Sequence, residues 1–177
     1  IGVIVRSMST ADSDVPHTGG MRYENGLPKI PAIAIGTKTA DQLEKISRSK
    51  KLTVKINSNC GMKGEKSSYN VIGELTGKNS DKKIIIAGHL DSWDVGEGAH
   101  DDGTGIVQSI EVLRAFKQLK LQNNHTIRVI CYANEENGVK GGTTYADELN
   151  SEKEPHIFAI ESDAGGFSPR GFSLDMD

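Results

Sequence analysis

The chain has 177 residues, room for one ordinary domain or for one and a piece of another. It is 36% hydrophobic and 25% charged with a net charge of −3, a globular composition that points away from nucleic acid or an anionic membrane as partner. Its longest apolar stretches, around residues 84–87 and 30–36, fall far short of the roughly 20 residues that span a bilayer. No signal peptide is visible. The chain opens on Ile1, already inside a strand pattern, so the expectation is a fragment of a longer precursor. Cys60 lies in a Gly-rich loop and Cys131 in an apolar strand; a disulfide between them is not favoured, and the cysteine count leaves the redox compartment open.

In chain order, residues 2–6 read as a strand and residues 7–28 as a long polar loop rich in turn formers. Residues 33–36 form a short apolar strand. Residues 39–49 suggest a helix capped by Thr39, with Leu43 and Ile46 as its apolar face. The alternation over residues 52–57 predicts a half-buried strand. A polar, Gly-containing stretch follows, and it places a domain boundary: residues 1–58, a hinge at 59–68, then residues 69–177. Beyond the hinge, residues 69–75 are a strand, 76–80 a turn, and 83–87 a continuous apolar strand buried on both faces. Residues 105–119 are helical, with Ile106, Ile110, Leu113 and Phe116 on one side. A strand at 126–132, a helix at 141–149 and a third buried strand at 157–160 complete the series. Strands alternating with helices predict an α/β layered sheet with crossover connections.

The unusual polar residues fall on this frame in a pattern. His89, Asp91 and Asp101 follow the strand at 83–87, Glu135 and Glu136 follow the strand at 126–132, and Asp163 follows the strand at 157–160. In open α/β sheets, ligands bind outside the carboxyl ends of the strands. One His and several carboxylates would therefore meet at one sheet edge. Crowded carboxylates raise one another's pKa unless a cation is present. His nitrogen with carboxylate oxygen suits zinc, with manganese or cobalt tolerated. The donors outnumber the three protein ligands of a single catalytic zinc. One carboxylate could therefore bridge two metals about 3.5–4 Å apart. GAHDDGTG over residues 98–105 fits that task, since its glycines let backbone pass close and its end opens a helix. Singly, each piece has an ordinary use: a surface His–Asp pair, an Asp helix cap, a solvated acidic loop, a turn. Repetition at successive strand ends is what favours the site.

These residues resemble a known family, the M28 metallopeptidases. The matching pieces are His89-Leu-Asp-Ser, Gly98-Ala-His-Asp-Asp-Gly, Asn134-Glu-Glu-Asn-Gly and Glu161-Ser-Asp-Ala-Gly, in order through residues 70–166. GHLDSWDVGEGAHDDGTG at 88–105 and PHTGGMRYENGLPKIP at 16–31 are similar to the plasma glutamate carboxypeptidase (carboxypeptidase Q) branch. The resemblance implies a zinc-exopeptidase fold, phosphorylase/hydrolase-like, with a mixed sheet flanked by helices and cut short here. It makes residues 1–58 part of a protease-associated-like, β-rich domain and residues 69–177 the N-terminal portion of the catalytic domain. It also implies roles: His89 and Asp163 on a first zinc, Asp101 bridging, Glu136 on a second zinc, Glu135 as general base. Asp91 would accept the other ring N–H of His89 and fix its tautomer. The peptide bond after Asp101 is often cis in relatives.

The family completes its second zinc with a His from a later loop. The histidines here are His17, His89, His100, His125 and His156, and none follows Asp163. His100 is expected to point away, and His125 to begin a strand at the sheet's opposite end. The expectation is therefore one zinc or none in this fragment, two in the parent site, and an inactive fragment of an active enzyme. The implied activity is hydrolysis of dipeptides or short peptides by metal-activated water, as carboxypeptidase, aminopeptidase or dipeptidase. The alternatives are a single-zinc aminoacyl cyclotransferase of the glutaminyl cyclase kind and a non-catalytic module of the same fold. A peptide is the implied partner, with room for a homodimer of the parent, and the branch implies secretion or periplasmic export.

Overall fold

A computed structural model describes residues 1–168 apart from 18, 62, 94–95, 150–153 and 164. The chain divides into two compact units, Ile1–Glu65 and Lys66–Asp177.

In the first unit, β1 (Val3–Arg6) and β2 (Ala32–Ile35) pair in parallel, with Val3 opposite Ala32 and Arg6 opposite Ile35. Helix α1 (Thr37–Ser47) follows two residues later than β2 ends. It starts two residues before the sequence pattern suggests, and its N-cap is Gly36, with no side-chain cap. Thr39 instead donates to Asp14 Oδ1 at 2.9 Å. Thr37, buried inside the unit, donates to Ala11 O at 2.6 Å and so ties the helix start to the preceding loop. Ile46, expected on the apolar face, is exposed. The alternating segment at residues 52–57 forms no strand. Alternation supplies a face but not a ladder partner, and without one an extended segment gains no backbone hydrogen bonds.

The second unit holds β3 (Val71–Leu75), β4 (Asn79–His89), α2 (Gly103–Gln118), β5 (His125–Tyr132), α3 (Lys140–Glu148) and β6 (His156–Glu161). The sheet is mixed, in the order β3-β5-β4-β6, with β3 antiparallel to β5 and the other pairs parallel. β4 reaches further both ways than its apolar run: it takes in Asn79 and Ser80, expected in a turn, and ends on His89. Chain direction across the sheet reverses between the two crossovers, so right-handed connections put α2 and α3 on opposite faces. The contacts agree. Ser109 of α2 donates to Ala87 O at 3.1 Å, whereas Tyr145 of α3 packs against the cluster of Ile85, Ala87 and Ile130.

Strand alternation explains what β4 delivers. Lys83, Ile85, Ala87 and His89 share one face, and all four are buried. The two apolar residues anchor the core, and His89 arrives at the C-terminal end with its ring already packed. Lys83, inside a run read as apolar, is accommodated by charge. Lys83 Nζ lies 3.4 Å from Glu74 Oε1, and Arg128 reaches Glu74 at 2.6 Å and Glu154 at 2.8 Å. Arg128 also donates to the Tyr145 hydroxyl at 2.7 Å. Two expected burials do not hold. Ile110 on α2 is 51% exposed, and β6, expected to be buried, lies at the edge of the sheet among the described residues, with Ile157, Phe158 and Ile160 exposed. Both cysteines are free, Cys60 exposed and Cys131 buried. No helix among the described residues is long and apolar enough to cross a membrane.

Burial alone would raise the Glu74 carboxyl, but Arg128 and Lys83 outweigh it and hold it below the usual value. Glu74→Gln removes a counter-charge from two buried cations, so a loss of about 2 kcal/mol is expected at pH 7, read from urea unfolding of the full-length protein. Glu74 ionises more readily folded than unfolded. Its contribution is therefore complete above about pH 4.3, where unfolded glutamate is charged, and fades as pH falls through the lower folded value. The gap between wild type and variant should close over that acid range.

Candidate metal centre

Three parallel strands end side by side, and the residues after them converge on His89. The first loop returns across the end of β4. Gly98, at φ +63°, lets it fold back, and Gly103 N donates to Gly98 O at 2.7 Å. The Asp101–Asp102 peptide bond is cis. Asp102, 1% exposed, accepts from His89 N at 2.8 Å and from Gly105 N at 3.0 Å. One buried carboxylate thus caps α2 and pins the strand end beneath it. The neighbouring Asp101 is left half-exposed, with Oδ1 3.1 Å from His89 Nε2.

The loop after β6 approaches from the other side. Ser162 N donates to Ala87 O at 3.1 Å, which carries the ladder one residue past the strand. Asp163 Oδ1 then lies 3.1 Å from the same His89 Nε2. This approach depends on Gly105, because a Cβ there would sit 1.8 Å from Ser162 O and 2.2 Å from Asp102 Oδ1.

The third loop follows β5. Asn134 turns it in the left-handed region at φ 56°, a conformation asparagine tolerates. Asp91 fixes the next two residues, accepting from Glu135 N at 2.8 Å and Glu136 N at 3.2 Å. The loop closes against Asn70, whose Oδ1 accepts from Ala133 N at 3.0 Å and whose Nδ2 donates to Gly141 O at 2.9 Å. Asn70 therefore brackets the acidic pair from both ends. It lies 65 residues or so before them in the chain, in a segment read only as strand, and no local signal pointed to it.

The donor atoms gather in two overlapping groups, His89–Asp101–Glu136 and His89–Asp102–Asp163, each with its ligand atoms within 4.8 Å of one another. His89, Asp101, Glu136 and Asp163, the residues expected as metal ligands, are all brought to one edge. Asp102 joins the second group, but both its oxygens already accept backbone N–H bonds. Asp101, with a freer carboxylate, is the better donor. One expectation changes in detail. His89 Nδ1 is 2.9 Å from the Asp91 backbone carbonyl and 3.8 Å from its carboxylate. The carbonyl, not the carboxylate, therefore accepts the Nδ1 proton, which turns Nε2 toward the acids. The Asp91 carboxylate instead holds the Glu135–Glu136 backbone. His100 is exposed, lies tilted against Phe167 at 5.1 Å between ring centroids, and belongs to neither donor group. His125 pairs with Asn79 at the far end of the sheet.

The electrostatics are those of a site short of positive charge. Burial alone pulls the His89 ring down, but Asp163, the Asp91 carbonyl and the charge of Asp102 outweigh it and hold it above its ordinary value. Burial and the nearby Asp101 charge push Glu136 up. Burial and then Asp163 do the same to Glu161. Glu136 Oε1 is buried with no hydrogen-bond partner among the described residues. A buried carboxylate oxygen left unpaired is costly, and a divalent cation among one imidazole and three carboxylates would relieve it. The donor set fits zinc.

With that geometry in place, similarity to known proteins assigns the class. The family model described as "Peptidase family M28" matches residues 70–176, and the chain belongs to that family. It is 37% identical to carboxypeptidase Q of Xenopus laevis, over 98% of this chain and 38% of that protein. To human carboxypeptidase Q it is 34% identical, over 97% of this chain and 37% of that protein. Among solved structures it superposes on a peptidase M28 precursor from Shewanella amazonensis with a TM-score of 0.73 and 41% identity, covering 92% of this chain and 37% of that one. A zinc aminopeptidase from Bacillus subtilis gives 0.55 and 26%, covering 85% and 35%. The chain thus spans less than two-fifths of the length of these relatives.

Gly105→Ala is expected to destabilise the full-length protein by about 3 kcal/mol or more, because the new methyl meets backbone and a buried carboxylate rather than a flexible side chain. Thermal unfolding checks this. Asn70→Ala should cost about 1–3 kcal/mol by leaving two partly buried backbone groups unpaired, and hydrogen exchange at Ala133 should speed up.

Proposed function

We propose that the full-length protein is a zinc-dependent exopeptidase that hydrolyses dipeptides or short peptides. The observation that carries this is His89 Nε2 within 3.1 Å of both Asp101 and Asp163, with Glu136, whose buried Oε1 has no hydrogen-bond partner among the described residues, in reach of the same cluster. Family membership supports it, and the relatives are named as carboxypeptidase and zinc aminopeptidase.

His89 and Asp163 would hold one zinc, Glu136 a second, and Asp101 both. Bound there, zinc supplies a Lewis acid that polarises the scissile carbonyl and makes water a nucleophile at neutral pH. The protein's own residues do the rest. Asp91 O holds the Nδ1 proton of His89 and so keeps Nε2 presented as a donor. The Asp91 carboxylate fixes the backbone from which Glu135 and Glu136 project. The Glu135 carboxylate is the general base: it takes a proton from the attacking water and returns it to the leaving amine. Residues 1–58 would belong to a protease-associated-like domain. An exported location, secreted or periplasmic, is part of the same proposal.

Glu135→Gln in the full-length protein should lower kcat for dipeptide hydrolysis about 10²- to 10⁴-fold, while zinc content by atomic absorption stays at the wild-type level. Full turnover by the variant would overturn the assignment of the base. Cyclisation of N-terminal Gln peptides without hydrolysis would overturn the exopeptidase reading itself.

A further inference from the structure

Asp163 follows β6, with its side chain 55% exposed. Among the described residues, the backbone on its N-terminal side is held by the bond from Ser162 N to Ala87 O. Something else must fix it if Asp163 is to stay 3.1 Å from His89. The side chain of Gln108, on the exposed surface of α2, spans the loop. Its Oε1 accepts from Ser162 Oγ at 2.9 Å, and its Nε2 donates to Gly165 O at 3.0 Å. The two anchored residues lie on either side of Asp163. A primary amide is the one uncharged side chain that offers an acceptor and a donor side by side, which is what a hydroxyl and a carbonyl flanking one residue require.

Two nearby contacts work in the same direction. Gly166 N donates to His100 Nδ1 at 3.4 Å, and the Phe167 ring lies tilted against His100. Thr104, one turn before Gln108, donates to His100 O at 2.7 Å. The first two turns of α2 therefore face the loop with polar groups, on a side of the helix where packing demands nothing of Gln108. We propose that Gln108 is a positioning residue that clamps the Asp163 loop and sets the affinity of the metal subsite formed by His89 and Asp163. This rests on the metal-centre reading above.

Zinc retention by the full-length protein, titrated against a chromophoric chelator, tests the clamp. Gln108→Met keeps length and removes both hydrogen bonds. It should weaken zinc binding at the subsite of His89 and Asp163 by about 10- to 100-fold, the size of effect seen when the support that orients a metal ligand is lost. The melting temperature of the metal-free protein should stay at the wild-type value, since the residue is exposed. Ser162→Ala should weaken binding in the wild-type background and have no further effect in Gln108→Met, because the bond it deletes is already gone. Unchanged affinity in Gln108→Met, or a lower metal-free melting temperature with unchanged affinity, would overturn the clamp and leave the metal centre standing. A wild-type protein that binds no zinc would overturn the metal centre and the clamp together.

Discussion

The imidazole of His89 is withdrawn from solvent, held at one nitrogen by a backbone carbonyl and approached at the other by two carboxylates. Every other part of the centre is arranged about that ring. Its burial follows from strand geometry: His89 shares the face of Ile85 and Ala87, so the contacts that seat the core also seat the ring. A ring fixed in this way cannot swing to accommodate a ligand. The acids must come to it, on loops from three other places in the chain.

Two acidic pairs divide that labour in the same manner. In Asp101–Asp102, one carboxylate is buried and spends both oxygens on backbone N–H groups, and the other stays half-exposed beside Nε2. In the loop after β5, the bracing carboxylate comes from Asp91, which binds the N–H groups of Glu135 and Glu136 and leaves their side chains free. Bracing acids are neutralised by backbone dipoles, so they add order without competing for a cation. The donor acids keep unspent lone pairs, and the raised Glu136 carboxyl shows the cost of gathering them.

The same sheet face carries a second polar cluster at its other end, where Lys83, Arg128, Glu74 and Glu154 neutralise one another beneath Tyr145. The apolar middle of this face is short, just Ile85, Ala87 and Ile130 with two tyrosines against them. Both ends of β4 are thus committed to charge. At one end the charges balance among the protein's own side chains. At the other they do not, and that imbalance separates a self-neutralised cluster from a group of donors that a cation would suit.

The sequence by itself determined the alternation of strands and helices in the second unit and the placement of His89, Asp101, Glu136 and Asp163 after strand ends, from where the fold brings them to one edge. Those features are local or periodic, and family motifs reinforce them. It could not decide matters that depend on neighbours. Among the described residues, 52–57 alternate correctly yet pair with no strand, and β6 has the composition of a buried strand yet lies at the sheet's edge. The functions of Asp102, Asn70 and the Asp91 carbonyl were likewise set by tertiary structure. Each acts through hydrogen bonds to backbone groups distant in sequence or hidden in a turn, and backbone N–H and C=O groups are the same in every residue, so no pattern of side chains announces which will need a partner.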